Sequence, residues 1–239
     1  MSTVVVTGAA RGIGAGLVRR FADAGWSIAA VDLADDVETT AKQVSADTGA
    51  TVVPILADLG SDEGIAAVAD AVGRLGDLRA IVNNAGITRD ALLRKMTPDQ
   101  FAATTRVNLG GPIRLNEALL PILEPGGAVV NISSKSASGN IGQFNYALSK
   151  AGLLGYTRSL ARQLAPTIRV NAISPGFIAT EMTDAIPDEL RSAILEKIPL
   201  GRPGQAAEIA DVAFWLCSDQ ASYVTGQVVP VCGGRSYAP

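Results

Sequence analysis

The chain has 239 residues, enough for one α/β domain with a large core and somewhat long for two independent ones. Its formal charge of −3 is carried by scattered residues, so small-molecule chemistry is expected, with no nucleic-acid and no membrane partner. It contains no histidine, which excludes a histidine-based catalytic triad and a histidine-ligated zinc.

The first segment, Thr3 to Val6, is an unbroken β-branched run, the pattern of a buried parallel strand. Glycines follow at once, at Gly8, Gly12 and Gly14, and then a helical pattern of Ile13, Leu17, Val18 and Phe21. Gly25 ends that helix, and a second strand, Ser27 to Val31, is closed by Asp32. A polar helix from about Asp35 to Thr48 leads to a third strand, Thr51 to Leu56, and to Asp58. Helix Asp62 to Leu75 precedes a fourth strand, Ala80 to Val82, which runs into Asn83-Asn84-Ala85-Gly86. The next helix starts after Thr97-Pro98 and runs toward Leu123, with an interruption at Gly110-Gly111-Pro112. Pro112 has no N–H, so the carbonyl of Asn108 loses its helical donor and is expected to be bonded by a water or a side chain. A fifth strand, Ala128 to Ile132, precedes a helix from Gln143 to Leu164. The sixth strand, Arg169 to Ile173, stops at Ser174-Pro175-Gly176, beyond which a polar, irregular segment around residues 178–204 reads as a mobile lid. A helix over Ala206 to Leu216 and a strand over Val228 to Val231 complete the chain.

Strands alternating with helices at this spacing predict a single-domain, Rossmann-type doubly wound parallel sheet of about seven strands, with the ligand at the strands' carboxyl ends. The missing side chains of Gly8, Gly12 and Gly14 would let the backbone approach a pyrophosphate, whose charge the following helix N-terminus favours. Cys217 and Cys232 are far apart and in apolar surroundings, which reads as two buried thiols with no disulfide and no metal site. Neither a secretory signal pattern nor an apolar run of membrane-spanning length is present, so a cytoplasmic protein is expected.

Tyr146 and Lys150 stand four apart in a stretch whose apolar spacing is helical, and so share one face. A phenol beside a fixed ammonium is a route to an acid or base working at neutral pH, because the positive charge favours the phenolate. Ser133 and Ser134, at the end of the fifth strand, would add a polarising hydroxyl.

Thr7-Gly-Ala-Ala-Arg-Gly-Ile-Gly14, Asn83-Asn-Ala-Gly86, Tyr146-x-x-x-Lys150 and Asn171 to Met182, in this order, resemble the short-chain dehydrogenase/reductase family. Within it the chain is most similar to the 3-oxoacyl-[acyl-carrier-protein] reductases, including the C-terminal domain of their high-molecular-weight form. The resemblance implies hydride transfer between a nicotinamide cofactor and a 3-oxoacyl thioester on acyl-carrier protein or coenzyme A, in a homotetramer or homodimer. Its catalytic residues would be Asn108, Ser134, Tyr146 and Lys150. Its cofactor contacts would be Gly8, Arg11, Gly12, Ile13, Gly14, Asp32, Asp58, Leu59, Asn84, Ala85, Gly86, Tyr146, Lys150, Pro175, Gly176, Ile178 and Thr180, with Asn83 at the sheet centre lining the cofactor. Counting back the usual thirteen residues from Tyr146 lands on Ser133, whereas matching the strand motif Asn131-Ile-Ser-Ser134 lands on Ser134. Ser134 is expected to be the working residue, because a loop loses a residue more readily than a strand.

Asp32 favours NAD(H) over NADP(H), since a carboxylate there accepts bonds from ribose hydroxyls and repels a 2′-phosphate. Arg11 argues for NADP(H), which stays possible. The chain departs from the family in having no Lys or Arg from Leu115 to Ser134 and in reading Ala165-Pro166-Thr167 before the sixth strand, where many such reductases carry basic residues. Coenzyme A as the carrier, or another secondary alcohol as substrate, therefore stays open. A non-catalytic dinucleotide sensor could dispense with Tyr146 and Lys150. A sugar-nucleotide epimerase would need a further substrate domain.

Overall fold

In the computed structural model of the chain, residues 2–180, 183 and 187–236 are described. Seven short runs form strands: β1 (Thr3–Thr7), β2 (Ser27–Asp32), β3 (Val52–Leu56), β4 (Leu78–Asn83), β5 (Leu123–Ile132), β6 (Arg169–Pro175) and β7 (Val228–Val231). The helices are α1 (Gly12–Asp23), α2 (Asp36–Thr48), α3 (Asp62–Leu75), α4 (Pro98–Thr105), α5 (Gly111–Leu119), α6 (Phe144–Leu164), α7 (Asp188–Leu195) and α8 (Ala206–Cys217). None of the described helices is long and apolar enough to cross a membrane.

All strand pairs are parallel, in the order β3-β2-β1-β4-β5-β6-β7. The chain steps outward from β1 to β3, returns to the middle at β4, and steps outward again on the other side. The order therefore reverses between β1 and β4, and the crevice that a doubly wound sheet offers a ligand opens there, at the carboxyl ends. Strand alternation divides the core. Val4, Val6, Ile28, Ala30 and Val82 pack under α1, α2 and α8, while Val5, Ala29, Val31, Ile81 and Val129 pack under α3, α5 and α6.

Several expectations need correction. The Gly110-Gly111-Pro112 interruption is not a break: α4 runs into a π-helical turn, Arg106–Gly110, which passes into α5. Pro112 sits in the first turn of α5, where a missing N–H costs little, and the wider π turn absorbs the extra residue. β5 begins at Leu123, well before Ala128, because Gly126 N–H donates to the Thr167 carbonyl (2.9 Å) and Arg79 holds the Pro125 carbonyl (3.0 Å). The segment around 178–204 is not irregular throughout. It carries α7, started by Asp188 and Glu189 in the first turn, and it buries Ile198. Residues 181, 182 and 184–186 of the expected lid lie outside the described residues. Cys217 is a buried thiol, pushed up to about 12 by burial. Cys232 is only partly buried: burial raises it, but N–H and O–H donors from Ser236, Gly234 and Arg235 outweigh that and bring it below the usual thiol range.

Candidate active site

The turn after β1 is made of backbone. Gly8 and Gly12 have φ of +66° and +56°, the left-handed region that glycine enters without strain. A Cβ at Gly14 would overlap the Gly8 carbonyl oxygen, so the helix start packs directly on the turn. Arg11, at the N-cap of α1, supplies no side-chain bond to the first turn. That helix end is therefore open to an anion from outside the protein. The turn is also tied to the loop after β4: Thr7 Oγ1 accepts the N–H groups of Asn84 and Ala85 (both 3.0 Å), and Asn84 Nδ2 donates to the carbonyls of Thr7 (2.9 Å) and Gly8 (3.1 Å). Asn84 thus ties the two loops together through its side chain.

At the end of β2, the Asp32 carboxylate accepts N–H from Ala10 (2.9 Å) and Ala34 (3.0 Å), which fixes its direction beside the glycine turn. Asp58 accepts the Gly60 N–H (2.7 Å) at the end of β3, and Leu59 is buried beneath Gly111. Ile13 packs on the α1 side of the core. Across the crevice, Pro175 ends β6, Gly176 N–H donates to the Val231 carbonyl (2.9 Å), and Ile178 is buried and bridged to Gly204. Thr180 approaches the place a Gly12 side chain would occupy, and Thr183 Oγ1 accepts its N–H (2.8 Å). Thr183 escaped the sequence reading, although Thr-x-x-Thr is the spacing of a hydroxyl that caps a turn.

Asn83 does not line the crevice. Its amide is buried in the sheet, donating to Asn131 (2.8 Å) on the neighbouring strand and Asn116 (3.1 Å) on α5. Asn131 in turn donates to Thr157, and Asn116 to the Tyr156 hydroxyl.

The other side of the crevice is made of side chains. α6 turns a polar face inward, with Asn145, Ser149, Lys150 and Thr157 all buried, and each must find partners there. Lys150 Nζ donates to the Ile132 carbonyl (2.8 Å), and burial lowers its pKa from the usual 10.5 to about 8. Asn108, in the π turn, exchanges two bonds with Ile87 (2.8 and 2.9 Å) and donates to Ser149 Oγ (3.2 Å), which donates to the Tyr146 carbonyl (2.8 Å). A Cβ on Gly86 would meet Asn108 Oδ1 at 3.3 Å and Lys150 Nζ at 3.4 Å, so this glycine lets the β4 loop close on both.

Tyr146 is pushed above the ordinary phenol value, first by burial; a bond from the Ser134 hydroxyl lowers it, and the Asp90 carboxylate raises it. That departs from a phenol lowered by Lys150: the ammonium lies 5.8 Å from the ring centroid and is bonded to a carbonyl. The two serines are separated cleanly. Ser133 Oγ is buried and donates to the Lys150 carbonyl (2.9 Å), whereas Ser134 reaches Tyr146 and is oriented by the Ser136 N–H (3.1 Å).

A family profile described as enoyl-(acyl carrier protein) reductase matches residues 8–236. The chain belongs to the short-chain dehydrogenase/reductase family. The 3-oxoacyl-[acyl-carrier-protein] reductase FabG of Pseudomonas aeruginosa is 44% identical over 236 residues, spanning 96% of this chain and 95% of its own. The protein of the same name from Thermotoga maritima is 41% identical over 235 residues, 96% of each. Among solved structures, the 3-oxoacyl-[acyl-carrier protein] reductase of Brucella melitensis superposes with a TM-score of 0.90 at 35% identity, over 98% of this chain and 90% of that one. A short-chain dehydrogenase/reductase of Serratia marcescens, in mutant form, gives 0.93 at 32% identity, over 98% of each chain.

Membership implies a nicotinamide dinucleotide, and the residues present fit one. A turn in which side chains would collide, an α1 N-terminus without a side-chain cap and a fixed carboxylate at the end of β2 stand where pyrophosphate and ribose would lie.

Proposed function

We propose that this protein reduces the ketone of a 3-oxoacyl thioester, carried on acyl-carrier protein or coenzyme A, to the 3-hydroxyacyl form. The observation that carries the reading is the Ser134–Tyr146 hydroxyl pair after the carboxyl end of β5, with the buried Lys150 ammonium 5.8 Å from the tyrosine ring. A bound nicotinamide supplies the hydride. The protein's part is to hold the ketone oxygen against two hydroxyls. Ser134 Oγ donates to that oxygen and Tyr146 Oη delivers the proton that completes the alcohol. Lys150 and Asn108 hold the ribose side of the site and hand a proton back toward Tyr146. The turn Gly8 to Gly14, with Arg11 and Ile13, would hold the pyrophosphate. Asp58, Leu59, Asn84, Ala85 and Gly86 would hold the adenosine and ribose, and Pro175, Gly176, Ile178 and Thr180 the nicotinamide end. The segment around 178–204 would close over the acyl chain.

NADH is the preferred reductant in this reading, because the Asp32 carboxylate is fixed by two N–H groups and cannot turn away from a 2′-phosphate. The chain assembles as a homotetramer or homodimer through edge strand β7 and the outer face of α6; static light scattering that gives a monomer would reject this. The test of function is oxidation of NADH and NADPH with acetoacetyl-CoA and longer 3-oxoacyl thioesters, with a crotonyl thioester beside them because the matching profile carries an enoyl reductase description. Turnover of the ketone alone supports the reading; turnover of the enoyl thioester alone overturns it.

A further inference from the structure

The first turn of α6 carries Tyr146, and the residue at its N-cap does not hold it. Gln143 makes no side-chain bond to that turn; its Nε2 donates outward, to Asp90 Oδ2 (2.8 Å) on the loop after β4. The first N–H groups of a helix have no acceptor within it and must find one elsewhere. The Tyr146 N–H finds its acceptor on the preceding side chain, Asn145 Oδ1 (2.8 Å). Asn145 is fully buried, and its Nδ2 donates to the carbonyls of Arg89 (3.0 Å) and Gln100 (3.2 Å) and to Thr104 Oγ1 (3.0 Å). Thr104, also buried, spends its own proton on the Gln100 carbonyl (2.9 Å), which leaves its oxygen free to accept from the amide. One side chain therefore joins the tyrosine's backbone to α4 and to the loop after β4. An apolar residue could fill the same space, but it would leave the Tyr146 N–H and the buried acceptors without this partner.

We propose that Asn145 is a positioning residue for Tyr146: it ties the tyrosine's backbone to the loop in which Asn84 holds the glycine turn and Ile87 holds Asn108, and so fixes the phenol relative to the cofactor. The proposal rests on Tyr146 being the proton donor. In reduction a hydride reaches the carbonyl carbon while the Tyr146 O–H breaks and its proton goes to the carbonyl oxygen. Both must meet one carbonyl in one geometry, and a displacement of about 1 Å costs on the order of 10²-fold in rate. Fully buried, with both ends of its amide on protein partners, Asn145 touches neither substrate nor cofactor and acts through the tyrosine.

With NADH and acetoacetyl-CoA, Asn145→Ala should lower kcat by about 10–10²-fold, while NADH affinity read by fluorescence stays that of the parent. Proton transfer then limits the rate, so the solvent deuterium isotope effect on kcat should rise. Val72→Ala, a truncation of the buried face of α3, gives the baseline for lost stability alone: a lower melting temperature with kcat and isotope effect unchanged. In a Tyr146→Phe background, Asn145→Ala should cost no further activity, since its effect passes through the phenol. Thr104→Val removes one partner of the amide and keeps the shape; it should lower kcat and raise the isotope effect less, and it decides the matter where Asn145→Ala does not fold. An unchanged kcat and isotope effect in the folded variant, or a loss that adds in full to that of Tyr146→Phe, overturns the proposal. Full reductase activity in Tyr146→Phe alone would overturn the reading of function, and this inference with it.

Discussion

The two walls of the crevice are made of different material. The wall from β1 to β3 faces the crevice with backbone: glycine φ values of +66° and +56°, an α1 end with no side-chain cap, and one carboxylate oriented by main-chain N–H groups. The wall from β4 to β6 meets it with buried side chains, each holding another: Asn108 on Ser149, Ser149 on the Tyr146 carbonyl, Ser133 on the Lys150 carbonyl and Lys150 on the Ile132 carbonyl. A backbone wall fails by collision. A side-chain wall fails by losing one partner of a network, since an orphaned buried polar group costs ~1–3 kcal/mol.

Lys150→Met breaks the second wall most severely. Turnover should fall by about 10²–10⁴-fold, the range for losing a proton-transfer group. Stability should separate from activity. The folded-state pKa of Lys150 is lowered to about 8 from 10.5, so between those values the unfolded chain binds more protons and the parent gains stability as pH rises. At pH 7 the parent carries a buried charge worth ~1.4 kcal/mol for each unit of that shift, and the variant does not. Chemical denaturation should show the parent's advantage over Lys150→Met growing from pH 7 to pH 10; a constant difference would show that the ammonium is not buried at such a cost.

Gly14→Ala attacks the first wall. Its Cβ would overlap the Gly8 carbonyl, which is backbone and must move. Overpacking of this kind costs ~1–3 kcal/mol, visible as a lower melting temperature, and dinucleotide binding followed by NADH fluorescence should weaken in step. Unchanged binding would mean that the turn is not the pyrophosphate site. The smallest effect is expected from Asp32→Ala, which should narrow a preference for NADH by about tenfold, or ~1.4 kcal/mol. A parent enzyme that prefers NADPH would show that Arg11 outweighs the carboxylate.

The same contrast explains what was legible in the sequence. A wall made of glycines and strand ends is written locally, so the turn after β1, Asp32, the bounds of α3 and those of β7 could be read from a few neighbouring letters. The side-chain wall is written at long range. Nothing near Asn145 announces that it will bond Arg89, Gln100 and Thr104, and nothing near Asp90 announces Gln143, 53 residues away. The π turn was half visible, because Pro112 marks a missing donor, but whether a helix breaks or widens there depends on what Asn108 bonds across the loop. α7 lay in a polar stretch whose pattern is too short to separate a helix from a loop. The serine pair shows the limit most clearly: both residues follow the end of β5, yet one side chain turns to the Lys150 carbonyl and the other to the tyrosine, and the two ways of counting the motif left both open.

That pair also offers the most direct test of the account. With NADH and acetoacetyl-CoA at saturation, kcat should fall by about 10²–10⁴-fold in Ser134→Ala, as for loss of a positioned polar catalyst. Ser133→Ala, which loses only a bond to the Lys150 carbonyl, should keep kcat within about tenfold of the parent, a change no larger than a neutral hydrogen bond supplies. The reverse order of the two variants, or equal loss in both, would contradict it.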